Sequence, residues 1–265
     1  MTEPSASSPA RLPISACLIA GNEAGRIRRT LESMVGWVSE MVVVINEEVA
    51  DGTDRIAVEF GAKVFREPWK GYVAQVNSAA AKAGQPWILA VDADEVVSPE
   101  LAAEIRGQFA RPEGLAPYAA FSFPRCSFYC GRWIRHGDWY PDRKTRLWRR
   151  GAGHWVGENP HYALVITGRT EALRGELQHY SMDSLDHHVR KMLTYSELYR
   201  ERHGDQSPGL AALWFRPWWR FVRGYVLRRG FLDGWQGFVI ARMVAFETFL
   251  RQAKIRAGRT AVAKE

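Results

Sequence analysis

The sequence predicts an α/β fold: a mostly parallel sheet with helices on both faces, followed by a C-terminal helical extension. Three observations support this. Short apolar runs alternate with helical stretches through the first 110 residues, which is the order of a parallel sheet joined by crossover helices. Those runs lack polar alternation, as strands buried on both faces do. From Leu185 the chain turns helical to its end. The expected division is a disordered start over 1–12, the α/β domain over 13–180 and the extension over 181–265.

Ile14–Ala20 opens the sheet as a buried strand. A helix follows from Glu23 to about Trp37, because Ile27, Leu31, Met34 and Val35 recur at helical spacing. Met41–Ile45 is the second strand. Asp51 is placed to cap a helix that ends at Gly61, which can take the left-handed conformation after the last turn. Ala62–Phe65, a helix over Tyr72–Ala83 and the strand Trp87–Val91 continue the alternation. Ser98-Pro99-Glu100 is a helix start, with a capping hydroxyl, a first-turn proline and an acid. After Tyr118 the pattern changes. Tyr118–Tyr129, Lys144–Trp148 and Ala163–Ile166 are candidate strands in a region rich in Gly, Trp, His and Arg.

The 265 residues are 46% hydrophobic and 25% charged, which excludes a wholly disordered, collagen-like or polytopic membrane chain. Three cysteines, Cys17, Cys126 and Cys130, are too few for a disulfide scaffold. Cys126 and Cys130 also lack the partners of a zinc set. The first ten residues lack the apolar core of a signal peptide. Phe231–Leu250 contains Asp233, Arg242 and Glu247 and fails as a spanning helix. The expected location is therefore cytoplasmic. The net charge of +7 is carried entirely by residues 181–265, where 15 Lys/Arg face 8 Asp/Glu. Such a tail suits an anionic partner.

Neither GxGxxG nor GxxxxGK[ST] follows the first strand, where the chain reads GNEAG, so nicotinamide and P-loop chemistry lack support. The sharpest signal is Val91-Asp92-Ala93-Asp94-Glu95 at the end of the fourth strand. In an extended segment Asp92 and Asp94 point the same way and present two hard carboxylates to one Mg²⁺ or Mn²⁺. Such a cation can neutralise charge on a diphosphate leaving group. The alternative, that these acids cap the next helix, is weakened by Ser98. An EF-hand is excluded because the sixth position from Asp92 is Val97 rather than Gly.

The runs SACLIAGNEAGRI, DGTDRIAVEFGAKVFREPWKGYVAQVNSA and WILAVDADEVVSPEL resemble the inverting nucleotide-sugar glycosyltransferases of family 2. CGRWIRHGDWYPDRKTRLWRRG, LQHYSMDSLDHHVRKMLTYS and RGFLDGWQGF are similar to the branch that extends lipopolysaccharide inner cores. The resemblance covers about residues 13–250. It implies a GT-A (Rossmann-like) fold, a nucleotide-diphosphate sugar donor, a divalent metal and inversion at the anomeric carbon. It also implies a donor site. Asn22 and Glu23 lie beside the nucleotide, and Asp92 and Asp94 match the DxD motif, with Asp92 touching the donor and both holding the metal. Trp69, Gly71, Tyr72, Gln75 and Asn77 match a W-x-G-Y-x-x-Q-x-N pattern. Lys70 and the helix start near Tyr72 offer positive potential to phosphates. The bland alternative for Trp69 and Tyr72 is core packing.

Two positions depart from the family. Asn46 stands where most relatives carry the Asp that helps read the base. It can accept from a uracil N3–H, but it also donates and carries no charge. Tyr162 stands where many relatives carry a carboxylate after the later His, and Glu158 is the nearby acid. An inverting transferase needs a general base for the acceptor hydroxyl. Asp142, in the family's W-Y-P-D motif, and Glu158 are equal candidates, with Asp138 behind them. For each, a salt bridge to a neighbouring arginine is the alternative. Tyr162 is a poor base, with an ordinary pKa of about 10. His136, His161 and His179 match family positions, and a hydrogen-bonded structural role is the commoner fate of such residues.

Within 214–225, a helix starting near Pro217 sets Trp218, Phe221, Val222 and Tyr225 on one face, with Arg220 and Arg223 opposite. An aromatic face with an arginine rim suits a helix lying on an anionic membrane surface. Packing on the transferase core is its alternative. The expected partners are thus a nucleotide-diphosphate sugar, a glycan or glycolipid acceptor such as the lipopolysaccharide core, and the cytoplasmic face of the inner membrane, with no nucleic acid. Two rivals share these features. A nucleic-acid binder explains the basic tail but leaves DADE and WKGY without a role. A non-catalytic nucleotide or glycan binder is consistent with Asn46 and Tyr162.

Overall fold

The computed structural model describes residues 11–158, 161–182, 184–206 and 208–262. Most of the expected disordered start thus lies outside the described residues, and Leu12 already belongs to the first strand. The chain divides into two compact units. The first comprises residues up to Arg125 together with Arg143–His179. The second comprises Cys126–Asp142 and the chain from Tyr180 onward.

The elements, in order, are β1 (Leu12–Ala20), α1 (Ile27–Glu32), β2 (Val38–Asn46), α2 (Thr53–Glu59), β3 (Lys63–Glu67), α3 (Tyr72–Ala81), β4 (Trp87–Ala90), β5 (Glu95–Val97), α4 (Pro99–Phe109), α5 (Pro112–Leu115), β6 (Tyr118–Tyr129), β7 (Arg132–Ile134), β8 (Asp142–Arg149), β9 (Gly153–Glu158), β10 (His161–Ile166), β11 (Arg169–Ala172), β12 (Leu177–His179), α6 (Leu185–His203), α7 (Leu210–Phe221) and α8 (Gly234–Val262). The main sheet runs β3-β2-β1-β4-β8-β6-β12-β5. It is parallel from β3 to β4. Beyond that it is mixed, since β8 runs antiparallel to β4 and β12 antiparallel to β5. The expectation of a mostly parallel sheet therefore holds for the crossover half, where helices reverse the chain between strands.

Strand alternation sorts the core onto two faces. Ile14, Ala16 and Leu18 of β1, Val43 and Ile45 of β2, and Leu89 of β4 pack with Ile27 and Leu31 of α1, Ala57 of α2, and Leu101 and Ile105 of α4. The intervening Cys17, Val42, Val44, Ile88 and Ala90 pack with Val76 and Ala79 of α3. Both faces are apolar because both carry helices, which is why these strands lack polar alternation. Burial raises the Cys17 thiol to about 12, so it is an inert core group.

Two local expectations change and a third holds. The first helix is only Ile27–Glu32, because Glu23–Arg26 forms a turn that precedes it. Asp51 does not sit at the cap position of α2, which Gly52 takes. Ser98 does cap α4, its Oγ accepting from the Leu101 N–H at 3.1 Å.

In the second unit, Tyr129 and Ile134 pack on Ile240 of α8, joined by Trp139, Val239 and Val244. This shared core explains why Cys126–Asp142 groups with the C-terminal helices. The unit departs from sequence expectation at Pro217, which lies inside α7 rather than at its start. A π-helical turn, Val222–Leu227, follows. Arg220 and Arg223 do not form an outer rim but turn onto Asp138, at 3.4 and 2.7 Å. No described helix is long and apolar enough to cross a membrane.

Candidate active site

Strand order reverses between β1 and β4, since β1 is flanked by β2 on one side and β4 on the other. In open α/β sheets, ligands bind outside the carboxyl ends of the strands at such a point. Asn22 and Glu23 follow β1, Asn46 ends β2, Lys70 and Gln75 follow β3, and Asp92 and Asp94 follow β4. The topology thus brings the residues expected to bind the donor to the ends of four neighbouring strands.

The loop after β1 is pinned by residues at the start of α2. Asp51 Oδ2 accepts from the Ala24 N–H and Thr53 Oγ1 accepts from the Glu23 N–H, both at 2.9 Å. Asp51 Oδ1 in turn accepts from the Thr53 hydroxyl at 2.6 Å. The Thr53 bond, above all, lowers the Asp51 pKa. Asp51 therefore positions the Asn22–Glu23 loop. Asn22 is exposed, and Glu23 and Asn46 are half-buried.

After β3, Gly71 adopts φ 87°, a backbone conformation that favours glycine, and so admits the turn into α3. Trp69 is 54% exposed, so it is not a core residue. The Lys70 ammonium lies 3.1 Å from Glu67 Oε2. Bonds from Lys82, Ser78 and Lys70 hold the Glu67 carboxyl at about 2. Gln75 is fully buried. Its Oε1 accepts from the Lys70 N–H at 3.4 Å, and its Nε2 has no acceptor among the described residues. Asn77 is engaged with β9. Its Nδ2 donates to the Trp155 carbonyl and its Oδ1 accepts from the Trp155 N–H, both at 2.9 Å. Both ends of the amide are used in fastening β9 to α3.

Asp92 and Asp94 lie in a turn rather than in extended strand, and the Glu95 N–H bonds the Asp92 carbonyl at 2.9 Å. Even so, Val91, Ala93 and Glu95 are buried while Asp92 and Asp94 remain partly accessible, so both carboxylates keep access to solvent. Asp92 Oδ2 accepts from Arg146 at 2.6 Å and its Oδ1 from the Tyr72 hydroxyl at 3.1 Å. Asp94 Oδ2 lies 3.5 Å from His179 Nε2.

Behind the pair is a buried ionic network that the sequence did not reveal. Glu95, fully buried, receives Arg146 and Arg125, both at 3.2 Å. Arg146 is 3% exposed and lies over the Trp155 ring at 5.5 Å. Burial opposes its charge, but Asp92 and Glu95 outweigh that and raise its pKa. The Tyr72 and Tyr162 rings lie 4.4 Å apart, tilted by 36°, and burial, above all, raises both phenols. They remain neutral donors at physiological pH, in keeping with Tyr162 as a poor base.

The candidate bases fall in different settings. Glu158 is exposed at the end of β9. Asp142 is half-buried as the first residue of β8. Asp138 takes the alternative role of an ion-pair partner. Its side chain is 6% exposed and ion-paired with Arg220, Arg223 and Arg228. His136 binds Asp233 at 3.0 Å, a structural contact. The side chain of His161 lies outside the described residues.

A divalent cation fits the pair on donor chemistry. A carboxylate offers about four lone-pair sites. Asp92, with one bond to each oxygen named above, keeps acceptor capacity beside Asp94. Magnesium commonly uses one or two carboxylates together with substrate phosphates.

The chain is similar to several known proteins. An uncharacterised glycosyltransferase of Rickettsia felis is 32% identical over 261 residues, covering 92% of this chain and 89% of that protein. The lipopolysaccharide core biosynthesis glycosyltransferase LpsC of Rhizobium meliloti is 26% identical over 254 residues, covering 92% of each chain. The crystal structure of S. aureus TarS with UDP-GlcNAc superposes with a TM-score of 0.49 at 11% identity, over 95% of this chain and 92% of that one. Residues 15–169 match the profile of glycosyl transferase family 2, and the chain belongs to that family.

Proposed function

We propose that this glycosyltransferase moves a sugar, with inversion, from a nucleotide-diphosphate sugar to a hydroxyl of a lipopolysaccharide-core or related envelope glycan. The observation that carries the donor half is the convergence of Asn22, Glu23, Asn46, Gln75, Asp92 and Asp94 on the carboxyl edge of β1–β4. The acceptor half is supported by the likeness to LpsC.

In this reading the β1 loop and Asn46 receive the nucleoside, and Lys70 leaves Glu67 for the diphosphate. Asp92 and Asp94 hold the divalent cation, which neutralises charge on the departing diphosphate. Arg146 and Tyr72 fix the Asp92 carboxylate, so that the site is organised before the donor arrives. Asp142 or Glu158 takes the acceptor proton.

The exposed Trp214, Phe215 and Trp218 of α7 rest on a membrane surface where a glycolipid acceptor resides. The neutral donor-binding unit gives no support to a nucleic-acid role.

The test is transfer from a panel of nucleotide sugars to a lipopolysaccharide-core acceptor, with Mn²⁺ or Mg²⁺ and with chelator. Asp94→Asn is expected to reduce turnover at least 100-fold while leaving the fold intact. Undiminished transfer by Asp94→Asn, or full activity in chelator, would refute the proposed donor chemistry.

A further inference from the structure

The second unit holds a cavity of about 520 Å³ formed by α6, α7, α8 and the turn at Asp138–Trp139. That size is typical of small-molecule sites. Its wall carries Arg216, Arg220 and Arg251, with the rings of Trp219 and Tyr199.

The charges around it do not balance. Asp138 alone serves three guanidiniums, those of Arg223 at 2.7 Å, Arg228 at 3.2 Å and Arg220 at 3.4 Å. Arg216 donates to the neutral Gln252 side-chain oxygen at 2.8 Å. Arg251 pairs with Glu247 at 2.5 Å. Among the described residues, five arginines of the cluster thus meet two carboxylates, leaving three positive charges without a counter-charge there. Asp138 Oδ2 faces Arg220 without a well-aligned hydrogen bond, and the buried Arg223 Nε and Arg251 Nε have no acceptor among the described residues. Burial, above all, and the neighbouring Arg223, Arg251 and Arg228 lower the Arg220 pKa, against the pull of Asp138. Arg220 and Arg251 are partly buried and Arg216 is exposed, and partly buried cations with spare donors call for an anion.

We propose that this cavity binds a terminal phosphate, with Arg216, Arg220 and Arg251 as donors and Trp219 and Tyr199 flanking the group that carries it. A phosphomonoester matches the surplus better than a carboxylate does, because it brings up to two charges and three acceptor oxygens to the planar forks of arginine. The phosphate can come from a lipid headgroup or from a soluble ester. The lipid source follows from the outward Trp214, Phe215 and Trp218 on the helix that supplies Arg216 and Arg220, and that choice alone rests on the membrane placement proposed above.

The test uses the full chain and no transfer assay, so its outcome is separate from that of the catalytic proposal. Binding is measured to phosphatidylcholine vesicles containing either phosphatidic acid, a phosphomonoester, or phosphatidylglycerol, a phosphodiester, at matched surface charge. Glycerol 3-phosphate is titrated in parallel. The expected result is at least a tenfold preference for phosphatidic acid, lost in Arg216→Gln and in Arg251→Gln. Arg216→Lys, which keeps the charge but not the fork, is expected to retain vesicle binding and lose most of the preference. Saturable binding of glycerol 3-phosphate that both Gln variants weaken, without a lipid preference, would support the site with a soluble source. Equal binding to both vesicles with no saturable binding of glycerol 3-phosphate would overturn the proposal. So would a preference that survives in both folded Gln variants.

Discussion

Replacing Arg146 by Met removes the cation that joins Glu95 to Asp92. Arg146 is 3% exposed, and Glu95 is fully buried. Breaking a buried ion pair from one side costs about 3–5 kcal/mol, because the remaining charge stays desolvated. Two features of this site reduce that figure. Glu95 keeps Arg125 at 3.2 Å, and the Asp92 side chain, 22% exposed, can be solvated in part. The expected loss is about 2–3 kcal/mol. Urea unfolding followed by circular dichroism measures it. Glu95→Gln completes a double-mutant cycle, in which the coupling between the two sites is expected to exceed about 1 kcal/mol. A loss below about 0.5 kcal/mol for Arg146→Met, or strict additivity with Glu95→Gln, would refute the view that this network holds the site together.

Other expectations follow from named contacts. Asn77→Ala removes two hydrogen bonds to Trp155 and is expected to cost about 2 kcal/mol of stability while leaving nucleotide affinity within twofold, as read by denaturation and calorimetry. Glu67 has a folded pKa of about 2, below its unfolded value of about 4.3. Its stabilising effect is therefore present above pH ~4.3 and lost as the pH falls toward 2, and Glu67→Gln is expected to flatten the stability profile in that window. His188, buried beside the Tyr129 hydroxyl at 2.9 Å, is held at about 4 mainly by burial, below the unfolded ~6.5. Stability is expected to fall as the pH drops from ~6.5 toward 4, and His188→Gln is expected to weaken that dependence in pH-resolved unfolding. Trp214→Ala with Trp218→Ala, at positions 80% and 60% exposed, is expected to lower affinity for anionic vesicles at least tenfold in a flotation assay without lowering Tm.

The crossover half of the fold was legible because its signals are local. Buried strands such as that over Met41–Ile45 are apolar runs, and Ser98-Pro99 marks a helix start by its own chemistry. The carboxyl-edge residues were legible through motif order. Arg146 was not, since it sits in RKTRLWRR among arginines that look alike, and its partners Glu95 and Asp92 lie 51 and 54 residues away. Asn77 looked functional because a polar residue in mid-helix has no local explanation, and its explanation is the Trp155 backbone 78 residues on. Pro217 looked like a helix start by the usual preference for the first turn. In the structure α7 begins at Leu210 and packs along α8, so Pro217 falls inside it.

The discontinuity of the second unit has a consequence for biosynthesis. Tyr129, Ile134 and Trp139 leave the ribosome with the first unit, yet the Ile240 surface they pack on is made about a hundred residues later. At roughly 10 residues per second, these apolar groups wait on the order of ten seconds for their partner. A fragment ending near residue 180 would keep them permanently without it. Expression trials that cut the chain at the apparent end of the α/β domain are therefore expected to yield aggregates, whereas replacing Cys126–Asp142 with a short polar linker in the same fragment should restore solubility.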